Sequence, residues 1–374
     1  MCYYGSNNRG EKCENTSKAA KTLLKSTIFH TTIGVDDGRR RNGDNMKNKM
    51  EFYGTLGSAC QSEKVLEEMF RTGMTGVRMN LSHQDLEECR DGIINMQNAA
   101  KKCDIQPDFL IDLQGPELRI GRLKKPVILR EEKKVILGKG GIKIPKRVLP
   151  FLEKGQEIFL DDGKILLKVK KAKETWAECV VLRGGILLSK KSMALPGVDV
   201  KMPTLTKTDL SNIAVAEKTG VTGVMLPFVR GAKDVRNLKV ALKEAGAENI
   251  RIFSKIENMA GYEALKEIIT ESDMIVIARG DLGNAVSLWE LPRMQKEISK
   301  KCREAEVPFM VVTQLLHSME EAMVPTRAEV SDIYNAVLDG AQALMLTGET
   351  AVGKYPSAAM GYLVQTARAA LQNQ

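Results

Sequence analysis

The chain has little histidine: of its 374 residues only His30, His83 and His317 are of this type. A metal centre built mainly from imidazoles is therefore disfavoured, and chemistry falls to carboxylates, lysine, arginine and hydroxyls, which suit hard, oxygen-bound cations. Aromatic residues are also scarce, at 5% with two tryptophans. The interleaved stacking residues of single-strand nucleic-acid binders are thus missing, and Trp176 and Trp289 read as packing residues. The seven cysteines, an odd count, contain no C-x-x-C pair, so no disulfide framework is expected and the thiols read as those of a reduced, cytoplasmic protein. No run reaches the roughly eighteen apolar residues of a membrane span. A soluble protein with no membrane partner is expected.

What is present is a core-forming composition, 43% hydrophobic and 28% charged. The net charge of +9 is uneven: residues 1–49 carry +5, residues 122–198 carry +11, and the remainder carries −7. A basic module on an acidic body suits closure over a polyanionic small molecule, and nucleic acid is not expected as a partner. Residues 1–49 have no sustained apolar period and no secretory h-region, and Met46 and Met50 directly precede the first strand-like run. They read as a disordered or non-native extension.

From residue 50 onward, β-rich runs alternate with amphipathic helical runs. Eight strands are expected, at 51–57, 76–82, 108–113, 223–228, 250–256, 273–278, 308–313 and 343–347. Eight such strand and helix pairs predict an α/β protein, a TIM (β/α)8 barrel. More than a hundred residues separate the third and fourth strands, and the first part of that stretch reads as short alternating strands with Gly and Asp turns, LDDG (160–163) among them. The expected organisation is barrel at 50–121, an inserted all-β lid domain in the third βα loop at 122–198, and barrel again at 199–374.

Polar residues at the strand C-terminal ends form a candidate ring, since that face of a barrel carries the site: Arg78, Asn80, Ser82, Asp112, Lys255, Glu257, Arg279, Gly280, Asp281, Thr313 and Glu349. Glu257 and Asp281, on adjacent strand ends, are placed to share one divalent ion. Arg78 and Lys255 beside it point to an anionic substrate, most simply a phosphoryl group. The competing reading makes Lys255 and Glu257 an ordinary surface ion pair. ARGDLG (278–283) reads as a glycine turn with amides open to a carboxylate, and His317 as structural.

With these residues assembled, the chain resembles the pyruvate kinase family over nearly all of 51–372, in GVRMNLSH (76–83), DLQGPELRIG (112–121), LSKKSMALPG (188–197), SKIEN (254–258), ARGDLG (278–283), VVTQLLHSM (311–319), PTRAEVSD (325–332) and LTGETAVGKYP (346–356). The resemblance implies transfer of the phosphoryl group of phosphoenolpyruvate to ADP, giving pyruvate and ATP. It assigns Mg²⁺ (or Mn²⁺) to Glu257 and Asp281, and K⁺ to Asn80, Ser82, Asp112 and the Leu113 carbonyl. Glu117 matches the glutamate of K⁺-dependent members. Lys255 and Arg78 are implied to stabilise the phosphoryl group. Thr313 and the amides of Ala278, Arg279, Gly280 and Asp281 are implied to hold the substrate carboxylate, with Thr313 near enolate protonation. His83, Arg119, Lys191 and Asp162 fall on the nucleotide side.

The chain departs from the family pattern at Ser58 and Cys60, at Leu113 and Gln114 where the family has threonine and lysine, at Pro227, and at 284–287. The family continues past the barrel with a C-terminal domain of about a hundred residues, an ordinary domain size. Its expected absence here implies no fructose-bisphosphate activation of the family kind, and a homodimer through barrel contacts. The alternatives are a non-catalytic paralogue that binds phosphoenolpyruvate or nucleotide, and a metal-dependent lyase acting on pyruvate-like substrates.

Overall fold

The computed structural model describes residues 50–82, 84–161, 163–198, 200 and 202–372, with the backbone alone at 284 and 285. The expected extension at 1–49, His83 and Asp162 lie outside the described residues. Strands β1 (Glu51–Thr55), β2 (Gly76–Asn80) and β3 (Asp108–Asp112) come first. Seven strands of the insertion follow: β4 (Val127–Leu129), β5 (Lys134–Gly138), β6 (Glu157–Leu160), β7 (Ile165–Lys173), β8 (Trp176–Arg183), β9 (Gly185–Leu187) and β10 (Met193–Ala194). The chain then returns through β11 (Gly223–Leu226), β12 (Arg251–Ile256), β13 (Met274–Ala278), β14 (Phe309–Val312) and β15 (Ala343–Leu346).

The strands outside the insertion close into a parallel barrel in the order β1-β15-β14-β13-β12-β11-β3-β2. These are the eight expected runs, each slightly shorter than its apolar stretch. The strands β11, β14 and β15 are buried at every residue, because helices cover the outside while side chains fill the inside. The helix Glu63–Thr72 shows how local sequence sets the cover. The Ser62 side chain accepts the Val65 amide at its start, Gly73 stops it at φ +120°, and Leu66, Met69 and Phe70 face inward. Between β12 and β13 the helical cover divides at Ala264 into Met259–Glu263 and Leu265–Ile269.

Strand parity decides what enters the barrel. Tyr53, Leu110 and Phe253 fill its interior with Met225, Met310 and Met345. Two residues further along the same strands stand Thr55, Asp112 and Lys255, so a period of two brings them to the same inner face, nearer the C-terminal mouth. At the opposite end Tyr53 Oη donates to Glu51 and Asp108, and Arg251 reaches both carboxylates.

The insertion leaves after β3 and returns before β11, as expected. It holds a five-stranded sheet in the order β10-β6-β7-β8-β5 and a separate β4-β9 pair, all antiparallel, around a core of its own that includes Leu137, Ile158, Leu167 and Cys179. Of the LDDG segment, Leu160 ends β6, and Asp161 and Gly163 lie between β6 and β7. Two local expectations change. ARGDLG is not an open turn: its residues begin the helix Arg279–Ala285, with Asp281 in the first turn, where a carboxylate complements the positive end of the helix dipole. Trp289 is 80% exposed rather than packed.

Candidate active site

The barrel mouth holds a buried charge cluster that the strand register assembles. Arg78 lies across from Thr55 on β1 and Asn80 across from Asp112 on β3. The Asp112 carboxylate accepts from Arg78 Nε and Nη2 at 3.0 and 2.6 Å and from Lys255 Nζ at 3.2 and 3.3 Å. Lys255 Nζ also lies 2.8 Å from Glu257 Oε1, and Arg78 Nη1 donates to Thr55 Oγ1 at 3.2 Å. The Lys255 and Glu257 side chains are only 13% and 1% exposed. The surface-pair reading of these two residues is therefore overturned.

Charge and burial compete in this cluster. Burial by itself would raise the Asp112 carboxyl, but the Lys255 and Arg78 charges outweigh it and hold the group below its usual range. Burial would lower the Lys255 ammonium, but Asp112 and Glu257 outweigh that and raise it. Both groups are thus ionised at neutral pH. The result is a pair of preformed cations with limited contact to water.

Glu257 and Asp281 line one cavity of about 530 Å³, together with Glu117 and Arg230 and with Phe159 and Met193 of the insertion. Glu257 is buried, and its Oε2 accepts the Phe228 amide at 2.8 Å. That amide is aimed by a left-handed Phe228 at φ +54°. Asp281 is exposed. Among the described residues no group of three or more His, Cys, Asp or Glu side chains could hold a metal by itself. Two oxygen-donor carboxylates on one cavity instead suit an ion such as Mg²⁺, which keeps part of its shell for water and substrate oxygens.

Of the residues expected to hold K⁺, Asn80, Ser82, Asp112 and Leu113 lie together at the ends of β2 and β3. Several of their oxygens already accept bonds inside the protein. Asn80 Oδ1 takes the Ser82 amide at 3.1 Å, the Asp112 carbonyl takes the Leu81 amide at 3.0 Å, and the Asp112 carboxylate is held by the two cations. On the nucleotide side Arg119 Nη2 pairs with Glu117 at 2.5 Å and Lys191 Nζ with Asp161 at 2.6 Å. Ser82, Gln114, Arg119 and Lys190 line a second cavity of about 340 Å³.

Ala278 is buried at the end of β13. The Gly280 amide donates to Thr313 Oγ1 at 2.9 Å. The Arg279 guanidinium is directed to the Thr313 carbonyl and to Asp332, which leaves only its backbone for the expected role. His317 is exposed, with Nδ1 3.2 Å from Glu320 Oε1.

Sequence reasoning missed Asp209. Its carboxylate accepts the amides of Gln114 and Gly115 at 2.9 and 3.2 Å while closing a capping box with Thr206. The T-x-x-D spacing at 206–209 was the available signal. Asp209 fixes the turn where the chain leaves β3 for the insertion. Gly115 is required in that turn: its φ is +61°, and a Cβ there would sit 2.4 Å from Pro227 Cγ.

The comparisons agree with this geometry. The family model for the pyruvate kinase barrel domain matches residues 47–360. A pyruvate kinase of Thermococcus litoralis is 36% identical over 330 residues, covering 86% of this chain and 69% of that protein. One of Geobacillus stearothermophilus is 36% identical over 333 residues, covering 86% of this chain and 57% of that protein. This chain therefore spans little more than half of some curated relatives. A pyruvate kinase structure from Cryptosporidium parvum superposes with a TM-score of 0.81 at 30% identity, over 91% of this chain and 73% of that one. The chain belongs to the pyruvate kinase family.

Proposed function

We propose that the protein transfers the phosphoryl group of phosphoenolpyruvate to ADP, giving pyruvate and ATP. The observation that carries this reading is the buried Arg78–Asp112–Lys255–Glu257 cluster beside the cavity lined by Glu257 and Asp281. Phosphoryl transfer asks the protein for alignment and charge neutralisation more than for covalent chemistry. Lys255 and Arg78 supply fixed positive charge to the phosphoryl oxygens, and Asp112 holds both cations in place. Glu257 and Asp281 would hold Mg²⁺ or Mn²⁺, which when bound supplies further charge neutralisation to the same oxygens. Thr313 and the amides at 278–281 face the substrate carboxylate.

Arg119 and Lys191 contact the nucleotide phosphates, and the basic insertion closes over them and excludes water. K⁺ is held by Asn80, Ser82, Asp112 and the Leu113 carbonyl, and Glu117, which matches the glutamate of K⁺-dependent members, supports activation by K⁺. No helix among the described residues is long and apolar enough to cross a membrane; we place the protein in the cytoplasm, as a homodimer through barrel contacts.

The test is pyruvate formation from phosphoenolpyruvate and ADP, with Mg²⁺ and with K⁺ or Na⁺, followed through a coupled dehydrogenase. Turnover that rises with K⁺ is expected. A folded protein that binds phosphoenolpyruvate in calorimetry but makes no pyruvate overturns the reading in favour of a binding paralogue.

A further inference from the structure

The segment after β14 carries two non-glycine residues in the left-handed region, Thr313 at φ +69° and Gln314 at φ +54°. A β-branched side chain is rare there and persists only where its surroundings hold it. Arg279 provides the hold. Its Nε and Nη2 donate to the Thr313 carbonyl at 3.2 and 2.6 Å, and its Nη1 donates to Asp332 Oδ2 at 2.6 Å. The guanidinium is a planar fork, so a partner on Nη1 fixes the direction of the other two donors. The Arg279 side chain is 10% exposed and that of Asp332 34%, which places the carboxylate on the solvent side of a mostly buried cation.

Asp332 stands on a firm base. It belongs to the helix Arg327–Leu338, which starts in a capping box between Thr326 and Glu329. Glu329 in turn accepts the Ser318 amide and hydroxyl at 2.7 and 2.5 Å, tying that helix to the chain beyond β14. At the other end of the relay Thr313 Oγ1 is fixed from two sides: it accepts the Gly280 amide at 2.9 Å and donates to the Val312 carbonyl at 2.5 Å. The hydroxyl direction therefore depends on the backbone twist that Arg279 maintains.

We propose that Arg279 and Asp332 are positioning residues, Asp332 acting only through Arg279, which hold the Thr313 hydroxyl and the Gly280 amide in register at the substrate-carboxylate face of the site. This rests on the phosphotransferase reading for its consequence, but the geometric relay stands independently of turnover. Loss of the Asp332 charge frees Nη1, lets the guanidinium turn outward, and allows Thr313 to relax from the left-handed region.

The test uses the full chain as D332N, D332E and R279K, the last keeping the charge but not the fork. Two quantities are read: kcat and KM for pyruvate formation, and hydrogen exchange of the peptide 277–283. D332N and R279K are each expected to lower kcat by about tenfold while KM for ADP stays within about twofold, and to speed exchange by about tenfold or more. D332E, which restores the carboxylate, is expected to recover both. Unchanged exchange in D332N and R279K overturns the proposal, whether or not kcat falls. If the wild-type chain makes no pyruvate, the exchange readout still decides the relay and only the functional reading is lost. If D332N does not fold, R279K decides by the same measurements.

Discussion

Replacing Asp112 by asparagine keeps the shape of the side chain and removes a carboxylate that both Arg78 and Lys255 contact. The Asp112 side chain is 3% exposed and those of its partners 11% and 13%, so the two cations are left largely desolvated with Glu257 as the remaining acid against Lys255. Breaking a buried pair from one side costs about 3–5 kcal/mol. At a urea m-value of about 3 kcal/mol/M, that is a fall in unfolding midpoint of about 1–1.7 M. The assay is urea unfolding of wild type and D112N, followed by tryptophan fluorescence and far-UV dichroism, in K⁺-free buffer and again with K⁺.

The pH dependence has a definite sign. The folded-state pKa of Asp112 is depressed, so its contribution is fully present above the unfolded carboxyl value of about 3.9 and is lost as pH falls through the lower folded value. The gap between the two proteins should be flat from about pH 5 upward and should narrow only in acid, below about pH 4. A gap that appears only when K⁺ is added would refute the account and make Asp112 chiefly a cation ligand.

Three further outcomes follow from named contacts. Glu257→Gln removes one of the two carboxylates proposed to hold the metal but keeps an oxygen for the Phe228 amide; Mn²⁺ affinity, read by electron paramagnetic resonance, should fall by about tenfold or more. Tyr53→Phe deletes the hydroxyl shared by Glu51 and Asp108 at the far end of the barrel; it should cost about 1–3 kcal/mol in urea unfolding with kcat unchanged, since that end serves stability. Gly115→Ala places a Cβ against Pro227 at a left-handed position; a loss of about 1–3 kcal/mol is expected, and a neutral result would contradict the tight turn.

The eight barrel strands were legible because strands buried on both faces leave continuous apolar runs, such as ALML and FMVV. The insertion was legible because its strands alternate instead. The candidate ring was also found in the sequence, since strand ends mark one face of a barrel. What was not legible is which partner each charged group takes. Asp112 was expected to serve K⁺, and only the pairing of β2 with β3 and the parity of β12 bring Arg78 and Lys255 onto it. Arg279 was expected to offer its amide to substrate, and nothing in the sequence showed that its side chain pairs with Asp332, fifty-three positions along the chain. Local pattern does not encode that distance. The exposure of Trp289 was hidden for the same reason, because a bulky residue after a short helix carries no sign of what covers it.

The most direct measurement compares wild type with Lys255→Met in two assays on the same preparations: pyruvate formation from phosphoenolpyruvate and ADP, and Mn²⁺ binding to the free protein. The account predicts that pyruvate formation falls by about a thousandfold or more while Mn²⁺ still binds, because Glu257 and Asp281 remain. Pyruvate formation that survives the loss of the Lys255 ammonium would contradict the claim that this buried cation carries the transferring phosphoryl group.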